Sequence, residues 1–419
     1  MTAWLQRRSV RWWTIGLAAF ALRIVAAVAL DGFRHPHLNE YDSLARAMVR
    51  GQGFVYGHID VLYYSYAPPL YSWLLAVSYK AAGSIAPAML LQVVAGAVVA
   101  VLAAAIAERV FGGWVAGLAA GLLVAAHPGL IVYNAVKAHP LTFDAFFFTL
   151  VPLLVLRLAE QTTIGRAVAL GLVVGIGTLS RGTLVIFLPL GIAWLLVVRP
   201  FAAWRTIAGR GLVAVACASA IIAPWSIRNT RIHHQFVWLL TTDSEDFWRG
   251  NNPNATGHSY IDPQHLVLHA LRPEEEAELA HQPDELAQAR WFMARAKAFV
   301  AAHPGEFLRL TVLKFYHFWW FAPQTGVLYP ARWALAYQLY YVAALVLAAA
   351  GLRRAWRIGA DAISQAALLV LLLLALSGLQ SLYYVEGRHR WAVEPMLLVF
   401  SGGGVAVLLG RRASGRPPA

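Results

Sequence analysis

One cysteine, Cys217, occurs in the 419 residues, and it lies within an apolar run. No intramolecular disulfide can form from it. Charge is scarce as well: Asp, Glu, Lys and Arg are 13% of the chain, where a soluble domain carries about 25%. Acids are the scarcer sign, 21 against 34 basic residues, for a formal net charge of +13. No soluble basic domain gathers that charge, so it does not point to nucleic acid. The histidines are scattered, with no HExxH or comparable pair, and no structural metal is expected. No cofactor is called for, although carboxylates that could hold a divalent cation are present.

What the chain does have is apolar length. Hydrophobic residues make up 59%, and many runs approach the roughly 20 residues that cross a bilayer. The reading is an all-α polytopic membrane protein with about ten spans. Arginines Arg7, Arg8 and Arg11 precede the first run, about Trp12–Leu30, and place the N-terminus in the cytoplasm. That run is longer than a signal-peptide core and lacks a clear cleavage site, so it is expected to stay as span 1. Arg23 within it is expected to face a polar cavity. Further spans are expected at about Ala88–Ala107, Trp114–Tyr133 (with a kink at Pro128), Leu141–Leu158, Ala167–Ser180, Thr183–Val198, Leu212–Trp225, Trp333–Leu352, Ile363–Tyr383 and Trp391–Leu409. Phe307–Phe321 is read as interfacial. With that choice Arg353, Arg354 and Arg357 fall inside together with the tail arginines Arg411, Arg412 and Arg416. No internal repeat is evident.

Three regions follow. Residues 1–227 form an N-terminal transmembrane core with a first extracytoplasmic loop at 31–86. Residues 228–306 form a second extracytoplasmic loop with a helical cap over Glu274–Val300. Residues 307–419 hold the interfacial helix and the C-terminal spans. In the first loop Ser43–Arg50 has helical apolar spacing and is stopped by Gly51 and Gly53. Leu70–Tyr79 is too short to span and reads as a juxtamembrane helix. The glycines of GIGTLSRG (175–182) follow no strand, so they read as helix-packing residues and not as a phosphate loop.

The positive-inside rule sorts the cations. Lys137, Arg181, Arg228, Arg231, Arg388 and Arg390 sit at the outer ends of spans, against that rule, and call for a partner. A lipid phosphate suits guanidinium geometry; a local carboxylate such as Glu386 or Glu394 is the alternative. Glu40 and Asp42, two apart on a helix, diverge and cannot share a proton. They suit one base and one supporting group, or simply acids at a helix start.

Six segments, in order, resemble the bacterial membrane glycosyltransferases of glycosyltransferase family 39, the protein mannosyltransferase-like clan. They are NEYDSLARAMVRGQGF (39–54), APPLYSWLLAVSYKAAG (67–83), GIGTLSRGTLVIFLPL (175–190), APWSIRNTRIHHQFVWL (223–239), WRGNNPNATG (248–257) and EGRHRWAVEPMLL (386–398). The resemblance implies the C-type glycosyltransferase (GT-C) fold, with juxtamembrane helices beside the spans. It implies transfer of a sugar from a polyprenyl-phosphate donor to a glycan, lipid or protein acceptor, on the outer face of the cytoplasmic membrane. By the same resemblance Glu40 is the leading base and Asp42 the second. Arg181, Arg228, Arg388 and Arg390 become phosphate ligands, and Tyr63, Tyr64 and Tyr66 walls of the sugar site. Lys137 and His139 join the substrate-binding set. Two departures stand out: Asn39-Glu40 where many members have Asp-Glu, and Ala138-His139 where many have Ser-Glu. The first leaves the choice between Glu40 and Asp42 open. A glycan ligase or polymerase shares the donor chemistry. A flippase would want inverted repeats and polar groups at mid-membrane, whereas here they gather at one face.

Overall fold

The computed structural model describes residues 7–262, 264–321 and 331–410; Arg411, Arg412 and Arg416 lie outside the described residues. In chain order the helices begin with α1 (Arg8–Ala29), α2 (Glu40–Val49), α3 (Pro69–Ala82), α4 (Ala86–Phe111), α5 (Trp114–Ala125), α6 (Pro128–Val136), α7 (Leu141–Glu160) and α8 (Ile164–Thr178). A short 3-10 turn, Gly182–Ile186, leads into α9 (Phe187–Val198). Then come α10 (Trp204–His233), α11 (Asp243–Gly250), α12 (Pro273–Ala280), α13 (Glu285–Ala302), α14 (Pro304–Trp319), α15 (Ala331–Ile358), α16 (Ala360–Gln380), α17 (Gly387–Trp391) and α18 (Glu394–Leu408).

Six of these helices are long and apolar enough to cross a membrane, and seven if the bent pair α5–α6 counts as one span. Three shorter apolar helices, in α8, the Gly182–Val198 stretch and α18, accompany them. The chain is a multi-pass membrane protein, and the ten expected apolar segments are all helical. The 16 residues of α14 fall short of a span.

The α18 helix runs through the middle of the bundle, and small residues let it do so. A Cβ on Gly404 would lie 2.0 Å from the Leu347 carbonyl oxygen, and one on Gly402 would lie 2.4 Å from that of Ala116. Backbones of α5, α15 and α18 therefore touch directly, as membrane helix packing favours. The GIGTLSRG glycines behave as expected: Gly175 leaves room for Ile221 and Ala218 of α10.

The expected kink at Pro128 is present: span 3 is two helices meeting at 43°, because Pro128 cannot donate a backbone hydrogen bond and its ring excludes the preceding turn. Three expectations are corrected. Arg23 does not face a polar cavity. It is fully buried, and it donates to the carbonyls of Ala125 at 3.3 Å and Val124 at 3.4 Å. Its guanidinium thus supplies donors that the broken span lacks. The first loop is not wholly helical. Tyr56–His58 and Val61–Tyr63 pair antiparallel, Tyr56 opposite Tyr63. The two turn residues, Ile59 and Asp60, both take positive φ, the signature of a tight hairpin turn. The cap stretch is two helices, α12 and α13. Pro283 cannot continue α12, and the Asp284 carboxylate caps α13 by accepting from the Ala287 amide at 2.8 Å.

The two loops are tied to each other. Glu285, at the start of α13, accepts from the Tyr64 amide at 2.7 Å and the Thr241 hydroxyl at 2.6 Å, and lies 3.2 Å from His233. Tyr63 donates to Gln288 at 2.7 Å. The hairpin, α10 and the cap are therefore bound to one another at one end of the bundle.

Candidate functional site

A cavity of about 540 Å³ opens at that loop-bearing end. Its wall takes residues from both loops and from the ends of several spans: Glu40, Tyr41, Tyr66, His139, Asp144, Arg181, Asp243, Asp246, Arg249, Ser259, Tyr384, Glu386, Arg388 and His389 among them.

Glu40 is the first residue of α2. Asn39 caps that helix by accepting from the Tyr41 amide at 3.2 Å, which directs the Glu40 side chain to the cavity side of the first turn. Glu40 is half-buried and has no ion pair or side-chain hydrogen bond among the described residues. Its charge is felt at Arg388. Asp42 does not line the cavity. It is buried against α3, held by Arg46 at 2.8 Å and by the Tyr79 hydroxyl. A helix turns about 100° per residue, so two positions separate the free carboxylate from the tied one.

Two of the expected arginines meet in the cavity. Arg181, between α8 and the 3-10 turn, lies 3.3 Å from Asp144, and Asp144 also accepts from the Ser180 hydroxyl at 2.8 Å. Arg388, on α17, pairs with Glu386 at 2.8 Å. Burial works against the Arg388 charge, but Glu386, Tyr133, Tyr384 and Glu40 outweigh it and hold its pKa above the ordinary value. Each of these two side chains keeps about a quarter of its surface open, so each has donors to spare. His139 stands edge-on to Tyr41, its ring 5.8 Å away. Burial and the nearby Arg388, Arg181 and Lys137 push His139 well below its ordinary pKa. It and His389, shifted the same way by burial, Arg181 and Arg388, are neutral at pH 7.

The α11 helix supplies what the sequence reading missed. Glu245 also lines the cavity and is held by His58 at 3.0 Å and by Arg249, tying the hairpin to this helix. Burial alone would raise the Glu245 pKa; Arg249 and His58 bring it down to about 2. Asp243 and Asp246, three apart on the helix, make no ion pair or side-chain hydrogen bond among the described residues. Desolvation by the surrounding wall raises Asp243, which still opens to the cavity, to about 6, and burial against the opposing pull of Arg249 raises Asp246 to about 7. In sequence DSEDFWRG reads as an ordinary polar turn between two loops; only its density of acids could have flagged it. Tyr384 and Asp144 were also missed, the second because it looks like a helix-start acid.

The other expected residues sit elsewhere. Tyr66 lines the cavity, but Tyr63 is turned to Gln288, and Tyr64, outside the cavity lining, is exposed with its amide held by Glu285. Arg228 donates to the backbone carbonyls of Tyr64 and Phe54 and stacks over Trp225, 4.6 Å from its ring. Lys137 stacks on Tyr133 at 5.3 Å, and its backbone bridges to His37. Arg390 is buried against Glu394 at 2.5 Å and the Phe318 carbonyl at 3.0 Å. Arg388 and Arg390, two apart on α17, thus point to opposite sides.

Among the described residues no group of three or more His, Cys, Asp or Glu side chains converges as metal ligands.

Residues 66–227 match the family described as dolichyl-phosphate-mannose-protein mannosyltransferase. That span holds the second and third of the six motifs and part of the fourth. Undecaprenyl phosphate-alpha-4-amino-4-deoxy-L-arabinose arabinosyl transferases of Pseudomonas aeruginosa strain UCBPP-PA14 and Pseudomonas paraeruginosa strain PA7 are each 29% identical over 225 residues. Each match covers 51% of this chain and 40% of the relative. The chain therefore spans well under two thirds of the curated relatives it matches. An archaeal oligosaccharyltransferase, AglB from Archaeoglobus fulgidus, solved with an inhibitory peptide and a dolichol-phosphate, superposes with TM-score 0.55 at 12% identity. It covers 96% of this chain and 50% of that one. The chain has the GT-C fold of membrane glycosyltransferases, and its residues 66–227 are similar to the protein mannosyltransferase family.

Proposed function

We propose that this chain is an inverting membrane glycosyltransferase that takes a sugar from a polyprenyl-phosphate donor and passes it to an acceptor hydroxyl or amine at the extracytoplasmic face. The observation that carries the reading is the meeting of Glu40 with Arg181 and Arg388 in one cavity. Direct displacement at the anomeric carbon needs a base on the acceptor side and a stabilised leaving group. Glu40, with no cation of its own, takes the acceptor proton. Arg181 and Arg388 face the departing phosphate, where guanidinium donors stabilise the charge that builds up. Tyr66 and Tyr384 offer ring faces to the sugar.

The curated relatives carry undecaprenyl phosphate in their names and the archaeal structure holds a dolichol-phosphate, which supports a polyprenyl phosphate as donor. The extracytoplasmic orientation rests on the basic residues gathered at the opposite end, among them Arg157, Arg166, Arg205, Arg210, Arg353 and Arg357. In this reading the 1–227 segment supplies the base and Arg181, the 307–419 segment supplies Arg388, and the 228–306 loop covers the cavity. The inner membrane of the cell is the expected location.

The test compares glycolipids and glycoproteins of cells lacking the gene, complemented with wild type or with Glu40→Gln, by mass spectrometry. A general base contributes ~10²–10⁴-fold, so the variant should accumulate in the membrane normally while its product disappears. Full restoration of product by Glu40→Gln would remove Glu40 from the reaction.

A further inference from the structure

Three arginines reach the cavity, and each is matched by a carboxylate: Arg181 by Asp144, Arg388 by Glu386 and Arg249 by Glu245. Once these pairs are set aside, three carboxylates remain: Glu40, Asp243 and Asp246. Glu40 has a role in the reading above. Asp243 and Asp246 have none, although they share one face of α11 and line the cavity.

A second feature of the same wall points to a ligand. Ser259 is 3% exposed, lines the cavity, and its hydroxyl has no partner among the described residues. A buried hydroxyl left without a partner costs stability. Asp246, half-buried and within the pull of Arg249 and Arg181, bonds to neither, and Asp243 opens into the cavity with no cation bound to it.

We propose that Asp243 and Asp246, with Ser259, are the specificity-determining residues of this cavity and accept hydrogen bonds from the hydroxyl or amino substituents of the sugar ring. A phosphate cannot be their ligand, because two carboxylates would repel it. A metal is not favoured, since Glu245, the third acid of the helix, is already committed to His58 and Arg249. Sugar hydroxyls and ammonium groups are donors, and carboxylate oxygens with free lone pairs receive them at close to full strength in a sheltered site. The cavity then divides: arginines for the phosphate, α11 for the ring.

This inference rests on the glycosyltransferase reading, and the experiment separates the two. The full chain in nanodiscs is titrated with bare undecaprenyl phosphate, undecaprenyl phosphate-glucose and undecaprenyl phosphate-glucosamine, following intrinsic fluorescence; Trp238 lines the cavity and reports binding. Wild type should bind at least one sugar lipid tenfold or more tighter than the bare lipid. Asp243→Asn and Asp246→Asn should leave the bare lipid within twofold and erase most of that preference, and Ser259→Ala should reduce it less. A preference for the amino sugar that vanishes in the Asn variants assigns an ammonium group; equal preference for both sugars assigns hydroxyls. Arg388→Gln should weaken all three lipids alike. If wild type binds bare and sugar lipids equally, or if the Asn variants weaken all lipids alike, the inference falls while the phosphate reading stands. If wild type binds none of them, the donor reading falls and takes this inference with it.

Discussion

Glu40 and Asp42 start from the same chemistry and meet different surroundings. Asp42 is spent on Arg46 and Tyr79; Glu40 is left open to the cavity. Asp42→Asn should therefore loosen the α2–α3 contact without abolishing transfer, a modest loss of stability read by thermal unfolding with product formation retained. Asp243 and Asp246 give a prediction with a sign in pH. Desolvation raises both pKa values, to about 6 and about 7. The folded state therefore binds more protons than the unfolded state between the usual carboxylate range and those values. The stability tied to their protonation is full below about pH 4 and is lost as pH rises through 6 to 7. Asn in either place removes that loss. Each Asn variant should melt about 1–3 °C higher than wild type at pH 8, and the gain should vanish near pH 4. A gain that grows on acidification would contradict the desolvation argument. Arg23 is the third case. Arg23→Met should cost roughly 1.5–3 kcal/mol, the scale of hydrogen bonds from a charged group. Gly96→Ala should approach that loss, because its Cβ would lie 2.6 Å from Arg23 Nε. Unfolding in detergent measures both.

At the scale of elements, small residues and two ties decide the architecture. The glycines of α18 are legible as packing residues, since TM helices use them that way, but which helices they touch is not. Gly404→Val places side-chain atoms on a backbone carbonyl 2.0 Å away from its first carbon. It should cost more than the ~1–3 kcal/mol typical of overpacking and reduce the folded yield in membranes, with Gly378→Val, at an open site in α16, as the contrast. Glu285 is the tie between hairpin, α10 and cap. It is 1% exposed and accepts from the chain at Tyr64, Ser65 and Thr241. Glu285→Ala should free the cap, and limited trypsin should then cut after Arg290 or Arg295 faster than in wild type. Unchanged protection would mean that packing around Trp248 and Phe292 holds the cap alone. The hairpin itself was hidden in the sequence. Its turn is Ile59-Asp60, without the Asn-Gly or Asp-Gly signal that marks such turns, and tertiary contacts through His58 and Tyr63 hold it instead.

At the scale of the whole molecule, the orientation can be read with one reactive group. Cys217 is the single cysteine, so a Cys217→Ser chain is blank. Glu276→Cys on the exposed face of α12 and Gly165→Cys in the exposed first turn of α8 should label oppositely in intact cells with a membrane-impermeant maleimide, Glu276→Cys from outside and Gly165→Cys only after permeabilisation. The reverse pattern would turn the cavity to the cytoplasm and undo the extracytoplasmic reading. By itself the sequence determined the membrane class, the apolar segments, the basic bias of one end, the helix of the first loop that ends at Gly51 and the divergence of Glu40 from Asp42. All of these are local: hydropathy, capping and helical period act within a few residues. Only the tertiary structure decided which cations face the cavity. Arg388 and Arg390 are two residues apart and alike in sequence, yet one meets Glu386 at the cavity wall and the other Glu394 in the core. It also decided that α11 belongs to the site. A side chain's partner is chosen by what the fold brings near it, often more than a hundred residues away, and charge pairing across that distance leaves no period in the chain.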